Sequence, residues 1–300
     1  MFIHPVAETN AAKRDYQYIE VKPYAAALGA EIFGVKLGDL TEEQVKEIKW
    51  ALADHSVVFF REQHLSPAEQ ERFTLNFGEF GVDPFVDGIE GHPNVLRLVK
   101  EADEKTGVVF GGVWHSDWTF QEEPPSYTIL AGKDIPAYGG DTLFASLYNA
   151  YDSLSPVMQK HCESLNLVHT AQKGYGSQME GVQDLVENMD VKTGDDIAGR
   201  LQVHPMVTKH PVSGRKVLYV SGIYTLTVEG MYHDEAANLI DFLQKEIVEH
   251  PMNLCRFRWE EGSVAMWDNR CTQHHPMGDY LGVRREMQRT IVAGSKPEGV

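Results

Sequence analysis

Short apolar runs bounded by polar or Gly/Pro-containing stretches recur along most of the chain, and each reads as a strand. They are YIEVKPY and GAEIFGV near the N-terminus, SVVFF (56–60), VLRLVK (95–100), YTILAGKDI (127–135), LNLVHT (165–170), QVHPMVTKH (202–210), KVLYV (216–220), LCRFRW (254–259), SVAMWD (263–268) and RTIVAG (289–294). The helical period is rarer. Thr41 and Gln44 form a capping box ahead of Val45, Ile48 and Leu52, and Ser66, Pro67 and Glu69 start a second helix that should end near Gly78. Two more helices are predicted at about 149–163 and 233–249, the latter with Ala236, Leu239, Ile240, Leu243 and Ile247 on one face. Many short strands decorated by a few helices predict a mainly β fold of the double-sheet, jelly-roll type. Without internal repeats or a long linker, residues 1–300 read as one domain, with lid or binding loops at about 80–113 and 172–200.

Composition narrows the function classes. A 42% hydrophobic content can bury a large core, and a formal charge of −17 repels nucleic acid and anionic membrane surfaces. A small anionic substrate stays compatible, because a few arginines in a cleft can overrule the global field. Three cysteines without zinc or redox spacing suit a reducing cytoplasm. No leader-like segment opens the chain, and no apolar run reaches the roughly 18 residues of a membrane span.

The stretch GGVWHSDWTF (111–120) carries the first candidate chemistry. On a strand, His115 and Asp117 would project from one face while Ser116 turns away. Two ligands do not hold a catalytic metal, and a histidine bonded to a nearby acid is the commoner meaning of such a pair. The segment WDNRCTQHHPMGDY (267–280) offers a third ligand, His274 or His275, of which only one can point inward on an extended backbone. Two histidines and one carboxylate form the facial triad that suits non-haem Fe(II) and oxygen, although zinc accepts the same set. In RREMQRTIV, Arg285, Met287 and Arg289 share strand parity, so two guanidiniums able to grip carboxylate or sulfonate would line one face. His161, His204, His210, His233 and His250 have no partners at ligand spacing, and residues 212–215 read as a hairpin turn.

With these segments in order, from GAEIFGVKL through WHSDWTF, GGDTLF, HPVSGRK and WDNRCTQH to RREMQRTIVAG, the chain resembles the taurine dioxygenase family of Fe(II)- and 2-oxoglutarate-dependent oxygenases. The resemblance implies a double-stranded β-helix with iron near one open end, held by His115, Asp117 and, in preference to His275, His274. It implies that Thr142 and Arg285 bind the far carboxylate of 2-oxoglutarate and that Arg289 holds the substrate's anionic head. Dioxygen and 2-oxoglutarate would then oxidise a substrate C–H bond with release of succinate and carbon dioxide. Trp114, Trp118 and Phe120 would wall the site.

Three outcomes are open: hydroxylation, hydroxylation followed by collapse, and desaturation. Halogenation is disfavoured, because Asp117 occupies the place chloride needs. Where the taurine enzymes put a histidine against the sulfonate, this chain aligns Asp83, which with Trp118 or Tyr224 could receive an amine instead. An Asp-Pro pair in a loop also commonly caps a turn. The family implies a homodimer or homotetramer. Competing readings are a metal-binding jelly-roll sensor without turnover and a zinc hydrolase, neither of which needs Thr142 and Arg285.

Overall fold

The computed structural model describes residues 14–179 and 188–300. Its strands are β1 (Glu20–Pro23), β2 (Ala30–Phe33), β3 (Val57–Phe60), β4 (Leu96–Lys100), β5 (Tyr127–Asp134), β6 (Thr142–Ser146), β7 (Asn166–His169), β8 (Gln202–Pro205), β9 (Val207–Lys209), β10 (Lys216–Leu218), β11 (Thr225–Val228), β12 (Leu254–Phe257), β13 (Val264–Asp268), β14 (Thr272–Pro276) and β15 (Arg285–Val292). A seven-stranded sheet runs β1-β2-β3-β13-β5-β15-β4, antiparallel except for the β2/β3 pair. Smaller sheets run β12-β6-β14 and β11-β7-β8, and β9 pairs with β10.

Alternation at period two sorts the large sheet's side chains between two cores. Val57 and Phe59 of β3, Leu130 of β5, Ala265 and Trp267 of β13 and Met287 of β15 meet Phe144 of β6 and Phe257 of β12. Phe59 stacks on Phe257 with ring centroids 4.0 Å apart. The opposite parity, Val58, Phe60, Ile129, Ala131, Val264 and Met266, packs against Ile48, Leu52 and Phe73. Those last residues belong to α1 (Glu42–His55) and α2 (Pro67–Leu75). Both helices start on the capping boxes legible in the sequence, Thr41 with Gln44 and Ser66 with Glu69. Beyond β6, a third core joins Ala145 to α3 (Leu147–Ser153), α4 (Pro156–Glu163) and the helix His233–Val248.

Several expectations are corrected. The helix predicted over 149–163 is two helices, because Pro156 cannot continue α3 and Ser155 caps α4 instead. The run 202–210 breaks at Met206 into β8 and β9, and β6 and β11 arise where no strand was predicted. The His115–Asp117 segment is not a strand. His115 makes a single bridge to His274, after which residues 117–120 turn, with Trp118 left-handed at φ 49°. The expected lid at 80–113 contains β4, the edge strand beside β15. Among the described residues, the expected lid at 172–200 holds three short helical turns, Gln172–Tyr175, Ser177–Met179 and Asp195–Ala198, and its residues 180–187 lie outside those described. No helix among the described residues is long and apolar enough to cross a membrane.

Candidate active site

The bridge between His115 and His274 brings together two of three side chains that could hold a metal ion. Each donates its amide to the other's carbonyl, at 3.1 and 2.8 Å, so the two rings lie with centroids 4.2 Å apart. Ser116 turns away, donating to the Thr272 carbonyl at 2.7 Å. The turn at 117 then swings the Asp117 carboxylate back, and Oδ1 stands 3.4 Å from His115 Nε2. One ligating atom from each of His115, Asp117 and His274 lies within 4.8 Å of the others. Adjacent ligands of an octahedral cation, each about 2.1 Å from it, are about 3 Å apart, so the spacing fits one metal ion.

Hydrogen bonding leaves the atoms facing this point unsatisfied. His115 Nδ1 donates to the Val113 carbonyl at 2.7 Å, which leaves its Nε2 free to ligate. Asp117 Oδ1 is buried and has no hydrogen-bond partner among the described residues. Burial, with His115 alongside, pushes His274 down to about 3, so it is neutral, as a ligand must be. Burial pushes the Asp117 carboxyl up, but His274, His115 and Arg289 outweigh it and hold it well below the usual range. Gly111, at φ 71°, lets the backbone pass close: a Cβ there would sit 3.2 Å from His115 Cε1.

The same chamber, of about 70 Å³, is lined by Thr142, Arg285 and Arg289. Arg285 and Arg289 project from β15 at the parity the sequence predicts, with Met287 between them. Arg285 is buried, and its Nε and one terminal nitrogen have no acceptor. Burial makes its charge costly, lowering its pKa despite Tyr280, whose ring lies 5.5 Å away. Thr142 Oγ1 accepts from Trp259 Nε1 at 2.9 Å, leaving its own proton available. At Gly140, φ 69°, a Cβ would come within 3.0 Å of Arg285 Cδ and Nε, so glycine keeps the guanidinium's place clear. A buried cation with spare donors and a free hydroxyl in one chamber have the chemistry to receive a carboxylate.

The sequence model of the taurine catabolism dioxygenase TauD, TfdA family matches residues 20–291. The chain belongs to that family. It is therefore an alpha-ketoglutarate-dependent dioxygenase, as the relatives' names agree. This dioxygenase is 32% identical over 294 residues to an alkylsulfatase of Acinetobacter baylyi, with 97% of this chain and 90% of that one covered. It is 34% identical over 284 residues to an alpha-ketoglutarate-dependent sulfate ester dioxygenase of Pseudomonas putida, covering 94% and 92%. The crystal structure of a taurine dioxygenase from Burkholderia xenovorans superposes with a TM-score of 0.79 at 33% identity, covering 94% of this chain and 92% of that one.

At the other end of the dioxygenase's chamber, Trp118 lines the wall beside Arg289, whose guanidinium lies 5.4 Å from the Trp118 ring and 5.8 Å from the Phe110 ring. Phe120 packs behind Trp118 with Phe85 and Tyr224. Tyr224 lines a second, outer recess of about 500 Å³, and Val108, Val109, Phe110, Tyr175 and Pro276 line both spaces. Trp114 lines neither space; it stacks on the half-buried His275 of the outer recess, ring centroids 5.5 Å apart. Asp83 is not among the residues lining either space. It caps the turn, accepting from the Phe85 and Val86 amides at 2.9 and 3.0 Å through Oδ1, and its Oδ2 accepts from Arg289.

Sequence reasoning missed Tyr175, Tyr280, Lys100 and Glu104 in the chamber wall. Only the apolar VVF ahead of Gly111 hinted at Phe110 and its neighbours. It also passed over His210, which does have partners: its Nε2 donates to Asp268 Oδ2 at 3.0 Å, with Cys271 close by. Arg270 grips the same carboxylate from Nε and a terminal nitrogen at 2.8 and 2.6 Å, so this second cluster is a closed, charge-paired strut of the core.

Proposed function

We propose that this dioxygenase oxidises the carbon next to the anionic head of an alkyl sulfate ester or alkyl sulfonate, using Fe(II), 2-oxoglutarate and dioxygen. One observation carries the reading: the His115, Asp117 and His274 group shares a single buried chamber with two arginines whose inward donors lack acceptors. His115 Nε2, Asp117 Oδ1 and His274 would hold the iron. Bound there with 2-oxoglutarate, it supplies oxygen activation coupled to decarboxylation of the co-substrate to succinate and carbon dioxide. Zinc would leave the carboxylate receptor without a purpose, and so would a storage or sensing role.

Arg285 and Thr142 orient the far carboxylate of 2-oxoglutarate, and Arg289 takes the sulfate or sulfonate. The apolar walls, Leu98, Val99, Val108, Val109 and Trp118, seat the alkyl part and exclude water, and its tail continues into the outer recess. The alkylsulfatase and sulfate ester dioxygenase relatives favour esters over sulfonates as the class. With an ester, the hydroxylated carbon bears the sulfate oxygen. The O–H proton passes to the sulfate as the C–O bond breaks, giving an aldehyde and hydrogen sulfate. The large sheet and the β12-β6-β14 sheet, facing each other over a shared core, support a double-stranded β-helix, and three buried thiols support a reducing cytoplasm.

The test supplies anaerobic protein with Fe(II), 2-oxoglutarate and air, and measures succinate over alkyl sulfates, sulfonates, aryloxyalkanoates, amino acids and betaines. Alkyl sulfates should give succinate and aldehyde in equal amounts. No succinate above a His115→Ala control with any compound would end the proposal.

A further inference from the structure

The chamber wall contains three cations, and two of them are already answered. Lys100 Nζ donates to Glu104 Oε2 at 2.9 Å, and Arg289 donates to Asp83. Of the three, Arg285 alone lacks a carboxylate among the described residues at hydrogen-bond distance, and it is the cation assigned above to 2-oxoglutarate. The Asp83 carboxylate is fixed by the two turn amides as well as by Arg289, and the two paired side chains are only 3% and 6% exposed. It cannot swing away when a ligand arrives. Beyond that ion pair, Arg289 keeps a buried Nε with no acceptor among the described residues. An incoming anion therefore meets a donor edge on a neutral pair and no uncompensated positive charge.

We propose that Asp83 sets the charge of the substrate: it makes the Arg289 end accept singly charged heads, sulfate esters and sulfonates, and refuse doubly charged phosphate monoesters of the same shape. This rests on the assignment of Arg289 to the substrate head. A single negative charge can be met by the Nε donor and its neighbours. A second would be buried beside Asp83 with no cation left for it, which is repulsion used for specificity. The aspartate that would deter a sulfonate if it faced the pocket acts from behind the arginine, as a counter-charge.

Equilibrium binding tests this without turnover. Hexyl sulfate, hexyl phosphate and the methyl diester of hexyl phosphate are titrated calorimetrically into anaerobic protein loaded with Fe(II) and 2-oxoglutarate. At pH 8 the monoester, with a second pKa of about 6, is a dianion and the diester a monoanion. The sulfate and the diester should bind about tenfold or more tightly than the monoester, and Asp83→Asn, which can still accept the turn amides, should shrink that gap to about threefold. An unchanged gap in Asp83→Asn overturns the proposal, as does wild-type protein that binds the monoester as well as the sulfate. Loss of all three ligands in Asp83→Asn, with the fold intact by circular dichroism, overturns it too, since Asp83 would then only prop Arg289. Arg289→Gln should weaken all three together, and binding that survives it shows the head lies elsewhere. Discrimination as expected, without succinate from any ester, would sink the proposed reaction and leave this inference standing.

Discussion

Asp117 is held from behind by residues that do not face the ligand point. Thr128 Oγ1 donates to Asp117 Oδ2 at 2.5 Å, Asn269 Nδ2 donates to Thr128 at 2.8 Å, and Asn269 Oδ1 accepts from the Asp117 amide and from Trp267 Nε1. This chain fixes the carboxylate so that Oδ1 is the oxygen left facing His115. Thr128→Val keeps the side chain's shape and removes the bond, and it should weaken Mn(II) or Fe(II) binding by about tenfold to a hundredfold while the fold persists. A metal titration giving wild-type affinity would show that Asp117 needs no such support. His115 and Asp117 were legible because they share three consecutive positions. Thr128 and Asn269 were not, because only the pairing of β5 with β13, Thr128 opposite Trp267, brings them behind Asp117.

At the scale of an element, β15 decides the chamber. Arg285, Met287 and Arg289 face inward, while Gln288 and Thr290 meet Gln70 and Thr74 of α2, so both faces of the strand are buried. That parity could be read from RREMQRTIV. What could not be read is that β4 lies alongside, ending in Lys100, whose ammonium binds Glu104 and the Val108 carbonyl, at 2.9 and 3.1 Å. Glu104 also accepts from the Glu101 amide at 3.0 Å and from Asn188 at 2.6 Å, tying the 101–113 loop to the segment that follows residue 187. Glu104→Ala would strand a buried ammonium, and because the pair borders an open chamber a loss of about 3 kcal/mol is expected, the low end for a broken buried pair. For a chain of this length that is a fall in Tm of about 5 °C. Replacing both partners, Lys100→Met with Glu104→Leu, should recover most of it. If Glu104→Ala melts like the wild type, the pair does not hold the loop.

Across the whole molecule, the sequence announced most of the strands but not their neighbours. β13 lies between β3 and β5 although about 130 residues separate it from the nearer of them, and the two sheets close on each other only through such distant pairings. Local alternation determines which face of a strand is buried, and it is silent about which strand comes next. Charge is a global property that composition does reveal, and here it works against the chemistry. A formal charge of −17 surrounds the proposed anion site, so the long-range field would oppose the substrate's approach while Arg289, in the role proposed for it, would act only over the last few ångströms. Screening should therefore help. Raising ionic strength from about 0.01 to 0.15 M shortens the Debye length from about 30 to about 8 Å, which removes the exterior's repulsion and barely touches a buried contact. The KM for hexyl sulfate should then fall several-fold, the reverse of an enzyme that steers its substrate in. Sodium fluoride and sodium chloride should act alike, since a difference between them would reveal ion competition at Arg289. A KM that rises with both salts would mean that the mouth of the chamber, despite the acidic exterior, carries a positive field of its own.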